Sequence, residues 1–367
     1  MKKIPMVNLQ PLLDVTAPQW RYNLDEMFSR AHFILGTQVA AFEREFAAEV
    51  GAKFAVGVGT GTAAIELCLR EAGITDRKQE VVTSALTSPF TALAVLTAGA
   101  TPRFADVEEG SLQIDCVDAA CRATKRTAAF LPVHLYGQPC DLDHFRSLAR
   151  ALKAPLVQDA CQAHGARYKG RPLTEFSPYV AYSFYPTKNL GCLGDGGAVA
   201  TNRPAVAKRL AALRDGGRHN DQVSRMAAIN SRLDELQACY LRAFLPRLAE
   251  WNADRRRLAA FYDDALRDVA GLRLVKRWPC SVSHLYVVRA ARRDKLREHL
   301  AKQGIMTAVH YPVPLHLQPA FRDCGLKRGA LPRAEKACRE IVSLPLWPYM
   351  AKSDAERVAD RVRAFYR

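Results

Sequence analysis

Apolar and polar positions along the first part of the chain alternate between a helical and a strand-like rhythm. Phe42, Phe46, Ala47 and Val50 fall on one face of a helix predicted over 39–50, with Thr37 as its cap and Gly51 as its stop. A strand over 54–58 follows, then the turn Gly59-Thr60-Gly61-Thr62 and an apolar helix over 63–70. The alternation continues through strands at 80–83, 101–105, 128–133 and 155–158, a helix at 88–98 and another opened by Asp141. Short apolar strands separated by helices predict an α/β fold, with a mostly parallel sheet covered on both faces. Ligands of such sheets bind beyond the C-terminal strand ends.

The rhythm changes after Asn230. Leu233, Leu236, Leu241, Leu245, Leu248 and Trp251 predict one long helical stretch over 232–269. A smaller unit follows, with a strand at 284–288, a helix at 293–303, a segment at 305–309 and a helix near 334–341. Its last helix is expected to open on a Ser353/Glu356 capping box. The expected division is a large domain over 1–250 and a small C-terminal α/β domain over 251–367.

Composition narrows the class. With 367 residues and 49% hydrophobic content, the chain can bury the cores of two domains. Behind Met1-Lys2-Lys3 there is no sustained apolar run, and no later stretch reaches membrane-spanning length, so no membrane association and a cytoplasmic location are expected. The ten cysteines are scattered without a CxxC pair, which predicts buried reduced thiols. HExxH, Walker and EF-hand patterns are absent, and no metal is expected. The net charge of +16 is spread over helical patterns such as Arg255-Arg256-Arg257, the usual mark of solvated faces. No basic, aromatic-interleaved module stands out, so nucleic acid is not an expected partner. A positive field would instead concentrate a small anionic substrate, and a nucleotide diphosphate fits.

Three places carry candidate chemistry. Lys188 stands in Ala181-Tyr182-Ser183-Phe184-Tyr185-Pro186-Thr187-Lys188-Asn189-Leu190-Gly191, between an aromatic run and the glycine-dense Gly194-Asp195-Gly196-Gly197. A desolvated amine there would be a usable nucleophile toward a carbonyl or toward pyridoxal phosphate (PLP); a loop lysine beside a turn is the plainer alternative. Strand, glycine turn and helix N-terminus in succession at Gly61-Thr62 suit a phosphate, and equally suit a simple tight connection. Asp159 ends a buried strand and could cap the next turn or hold the protonated ring nitrogen of PLP.

Taken together, Gln158-Asp159-Ala160-Cys161-Gln162-Ala163-His164-Gly165, the Lys188 stretch, Val133-His134-Leu135-Tyr136-Gly137-Gln138, Asn230-Ser231-Arg232-Leu233-Asp234-Glu235-Leu236-Gln237 and His310-Tyr311-Pro312 resemble the DegT-type sugar aminotransferases. That resemblance implies the PLP-dependent transferase fold of type I, with a seven-stranded type of sheet. It implies that Lys188 bonds the cofactor and later shuttles a proton. Asp159 would pair with the ring nitrogen, Gln162 would lie on the ring-hydroxyl side, and Gly61, Thr62 and Ser183 would hold the phosphate. Asn230 would reach the cofactor of a neighbouring subunit, so a homodimer with shared sites is implied. Tyr185, His310, Tyr311 and His316 would line the sugar pocket.

One departure from the family pattern concerns the residue that stacks on the cofactor ring. Where members usually carry an aromatic residue, this chain has Ser88, with Phe90 two positions on. The 230–237 segment resembles enzymes that aminate carbon 3 of a nucleotide-linked keto-deoxysugar, with L-glutamate as the implied donor and pyridoxamine phosphate as the alternate cofactor form. Carbon-4 amination is the alternative within the family. From a different class, a non-catalytic regulatory or nucleic-acid-binding protein could retain the fold.

Overall fold

The computed structural model describes residues 3–219 and 221–367. Its strands are β1 (Phe54–Val58), β2 (Glu80–Ser84), β3 (Thr101–Ala105), β4 (Thr127–Leu131), β5 (Val157–Asp159), the small hairpin β6 (Arg167–Tyr168) and β7 (Arg171–Pro172), β8 (Tyr179–Ser183), β9 (Gly197–Thr201), β10 (Leu272–Leu274), β11 (Tyr286–Ala290) and β12 (Ile341–Leu344). The helices are α1 (Gln10–Arg30), α2 (Thr37–Glu49), α3 (Gly61–Glu71), α4 (Pro89–Ala98), α5 (Cys116–Arg122), α6 (Leu142–Ala151), α7 (Pro204–Leu213), α8 (Glu235–Phe244), α9 (Leu248–Leu266), α10 (Arg293–Lys302), α11 (Pro332–Glu340) and α12 (Lys352–Tyr366).

A four-stranded sheet in the order β1-β9-β8-β5 meets a three-stranded sheet in the order β3-β2-β4. Parallel bridges from Phe130 to Leu156 and from Val133 to Asp159 join them edge to edge. The result is the expected mostly parallel seven-stranded surface, in which β9 alone runs against its neighbours. Side chains alternate between the two faces with the strand period of two. On β8, Val180 and Tyr182 join one core with Phe42 and Phe46 of α2, while Ala181 joins a second core with Ala64 and Leu67 of α3. Phe184 continues the first face, packing edge-on against Phe42 and Phe46 with ring centroids 5.3 and 5.2 Å away. The lysine-bearing segment is therefore anchored by aromatic packing just upstream.

Several expectations are corrected. Gly36, not Thr37, occupies the N-cap of α2, and the cap is supplied from far along the chain. Glu235 accepts from the backbone N–H groups of Gln38 and Val39 at 2.9 and 2.8 Å. The long helix over 232–269 is broken into α8 and α9 by a short 3-10 turn at Leu245–Arg247, where Pro246 lacks the N–H that a continuing helix requires. The capping box at Ser353 and Glu356 does not form, because α12 starts at Lys352 with Ala351 as its cap.

Helix α9 spans two cores. Trp251 packs with the large sheet, whereas Leu258, Tyr262 and Leu266 pack with the antiparallel sheet β10-β11-β12. Ile4 also belongs to the core of that antiparallel sheet, bridging Ile305 in parallel. A fourth apolar cluster, containing Leu86, Phe104, Val133, Val287 and Phe321, joins the C-terminal strand edge of the large sheet to β11. There Asp106 accepts from the N–H groups of Arg333 and Ala334 at 3.0 and 2.7 Å, fixing the start of α11. No helix among the described residues is long and apolar enough to cross a membrane.

Candidate active site

The C-terminal ends of β1, β5 and β8 lie on one edge of the sheet, and the candidate residues collect there. Val58 and Ser183 both face Gly197 in register. Helix α3 begins at Gly61, with the Thr60 side chain accepting from Ala63 N–H at 2.9 Å. A Cβ at Gly61 would lie 2.5 Å from Ser183 Cβ and 3.0 Å from Cys161 Sγ. Glycine is required for this close approach, which sets the first amides of α3 beside the Ser183 hydroxyl. That hydroxyl accepts from Tyr185 N–H at 3.3 Å.

Asp159 is buried and held on both oxygens. Oδ2 accepts from the Thr91 hydroxyl at 2.8 Å, and Oδ1 from the Cys161 N–H at 3.1 Å. Gln162 is fixed as well: its Oε1 accepts from Tyr136 N–H at 2.7 Å, and its Nε2 donates to the Tyr311 hydroxyl at 3.2 Å. Ser88 also hydrogen bonds to Tyr311, whose phenol burial pushes up to about 12. Ser88 is thus the residue placed in the site, while Phe90 is 60% exposed.

Lys188 is partly buried, and its amine makes no hydrogen bond or ion pair among the described residues. Burial lowers its pKa below the ordinary lysine value, against a weaker opposing pull from Cys161 and Asp159. His310 reaches Ser343 Oγ through Nδ1 at 2.8 Å, and its backbone carbonyl accepts from the Tyr136 hydroxyl. Burial, with Lys188 adding to it, lowers His310 to about 4, so it is neutral at neutral pH. The combination sets a desolvated amine, a fixed carboxylate and the backbone amides and hydroxyl at Gly61 and Ser183 on one strand edge.

The other predicted residues are placed differently. Tyr185 is exposed beside Lys188. Asn230 is exposed and bridges Asp215. His316 is buried against Glu335, with Nε2 3.1 Å from Oε1, so that nitrogen is not open to a ligand. Sequence reasoning missed Thr91 and Ser343, which act on the site from distant segments and carry no local motif, and it named Tyr136 in the 133–138 segment without giving it a role. A concavity of about 610 Å³ lined by Arg146, Arg150, Lys153 and Arg203 lies by Pro155 and Pro178, at the opposite strand ends, and contains none of these residues.

A profile of the DegT/DnrJ/EryC1/StrS aminotransferase family matches residues 18–363. The chain is 42% identical to the dTDP-3-amino-3,4,6-trideoxy-alpha-D-glucose transaminase of Streptomyces venezuelae, over 98% of this chain and 96% of that protein. It is 38% identical to a pleiotropic regulatory protein of Geobacillus stearothermophilus, over 99% of each. The crystal structure of S. venezuelae DesV in complex with a ketimine intermediate superposes with a TM-score of 0.97 at 41% identity, covering 100% of this chain and 99% of that one. The site geometry and the match along nearly the whole length agree: the chain belongs to the DegT/DnrJ/EryC1/StrS aminotransferase family.

Proposed function

We propose that the protein moves an amino group from L-glutamate to carbon 3 of a nucleotide-linked keto-deoxysugar, using PLP. The observation that carries this reading is the unpaired, desolvated amine of Lys188 beside a carboxylate fixed by Thr91 and the Cys161 N–H. The residues fit the cofactor. Gly61 leaves room that a Cβ would fill, next to Ser183 and the N-terminal amides of α3, which suits the phosphate. Asp159 suits the ring nitrogen, and Gln162 suits the ring hydroxyl. When bound, PLP supplies an aldehyde that bonds amines and a ring that withdraws electrons from the adjacent carbon.

The chain's own groups then divide the work. Lys188, with its proton affinity lowered by burial, gives up its proton and carries one between carbon positions. Neutral His310 and the protonated Tyr311 phenol offer uncharged hydrogen-bonding groups to a sugar. Tyr185 borders the open side. Asn230, exposed, is available to a second copy, and we assign the protein as a homodimer with shared sites working in the cytoplasm. The carbon-3 preference rests on the 230–237 segment and on the activity of the S. venezuelae relative, whose name describes a 3-amino sugar product.

A non-catalytic regulatory role on the same fold has one relative's name in its favour. The joint retention of Lys188, Asp159 and Ser183 at one strand edge weighs against it. Transamination assays with paired dTDP-3-keto and dTDP-4-keto sugars test the proposal. Product from the 3-keto sugars is expected; amination of 4-keto sugars alone contradicts the carbon-3 assignment.

A further inference from the structure

Behind Lys188 runs a buried string of polar side chains whose direction is set by carbonyl groups. Asn189, 1% exposed, donates through Nδ2 to Val282 O at 3.0 Å and to Asn252 Oδ1 at 2.7 Å. A carbonyl only accepts, so the amide orientation of Asn189 is fixed and its Oδ1 faces His284 Nδ1 at 3.0 Å. Oδ1 also only accepts, so His284 carries its proton on Nδ1. On the far side, Asn252 Nδ2 donates to His164 O at 2.9 Å, and His164 Nε2 donates to Ser183 O at 2.8 Å. The string thereby links the segment before β11, the residue after Lys188, helix α9 and the backbone of Ser183.

The string contains no carboxylate. The charged groups facing His284 are Lys188 and Arg255, and the other titratable ones are His310 and His164. All of them, together with burial, oppose a proton on the second nitrogen, so the imidazole stays neutral. Apolar residues would fill this volume at no polar cost; what a directed string adds is a fixed orientation.

We propose that the neutral Nδ1–H form of His284, acting through Asn189, is the positioning device that holds Lys188 in its desolvated place. This rests on the reactive role proposed for Lys188, but the effect on the amine needs no cofactor. Without the tether Lys188 moves toward water, its pKa rises toward the ordinary value, and less free amine is present at neutral pH.

Asparagine places an amide nitrogen near the position of Nδ1, whereas glutamine places it near Nε2. The test compares His284→Asn with His284→Gln in the cofactor-free chain, reading the pH dependence of Lys188 acetylation by acetic anhydride through peptide mass. The Asn variant should keep the parental midpoint and the Gln variant should move it up by about one pH unit. Asn189→Ala, at the other end of the same bond, should shift it in the same direction. Loaded with PLP, the Gln variant should lose kcat by roughly 10²-fold with a smaller change in KM for the amino donor. Equal midpoints in the two His284 variants, or lowered melting temperatures with Lys188 titrating as in the parent, would overturn the proposal. If the midpoints separate but no sugar is aminated, the tether stands and only the substrate assignment fails.

Discussion

The hydroxyl of Thr91, one turn into α4, donates to Asp159 Oδ2 at 2.8 Å, and Thr87 Oγ1 stands 3.2 Å behind it. With the Cys161 N–H on the other oxygen, the carboxylate is fixed in orientation before any ligand arrives. Hydrogen bonds to a charged group contribute about 1.5–3 kcal/mol. Thr91→Val keeps the volume and removes this bond, so the affinity for PLP should fall roughly ten- to a hundredfold. Thr91→Ser should restore most of it. Fluorescence titration with PLP checks both, and equal affinities in the parent and the Val variant would remove Thr91 from the account.

Gly61 is a position where the fold leaves no room for a side chain. Its Cβ would sit 2.5 Å from Ser183 Cβ, so Gly61→Ala must push β8 and α3 apart. A stability loss of about 1–3 kcal/mol and weakened phosphate binding are expected. Gly110→Ala is the control, since a Cβ there meets only Lys276 Cβ at 4.0 Å. Urea melts and PLP titrations of the two variants should separate clearly; similar losses in both would contradict the cradle.

Buried neutral histidines give the protein an acid limit. Burial lowers His134 to about 4, His164 to about 3 and His310 to about 4, from an ordinary value of 6.5. Between about pH 6.5 and 4 the unfolded chain takes up these protons and the folded chain does not. Stability is therefore fully present above about pH 6.5 and is lost as the pH falls, by about 1.4 kcal/mol per pH unit for each histidine. The His134 side chain accepts from Cys140 N–H and meets Gln158 Oε1, while the bond to Asp159 is made by its backbone N–H to the Asp159 carbonyl and survives substitution, so His134→Gln isolates one contribution. Urea denaturation from pH 7 to 4.5 should show a shallower slope in that variant, and an unchanged slope would refute the assignment.

What could be read from the sequence was local. Asp159 stands where a buried strand stops, Gly61 lies in a strand–turn–helix succession, and Lys188 sits between an aromatic run and a glycine-dense turn, so local pattern singles them out, whereas Ser183 is implied only by the family resemblance. The supporting groups could not be located that way. Thr91 reaches Asp159 from 68 positions away, and His284 reaches Asn189 from 95, distances over which no periodicity carries a signal. The cap of α2 has the same cause: Thr37 is a good capping residue locally, but Glu235 satisfies two amides at once and takes its place. Pro246 breaks α8 from α9, and the leucine spacing alone, which runs on across it, does not reveal the break. His316 shared the proline-rich loop of His310 and Tyr311, and only its burial against Glu335 separates it from them.

The central claim is that Lys188 is the amine that bonds PLP and passes on the amino group of a donor. It is tested most directly by the visible spectrum of the purified protein with PLP, before and after L-glutamate, beside Lys188→Ala. A cofactor band that disappears on adding glutamate in the parent, and is absent or unresponsive in the variant, is the predicted result. A parent that binds no PLP, or whose band ignores glutamate and every other amino donor, would contradict the account.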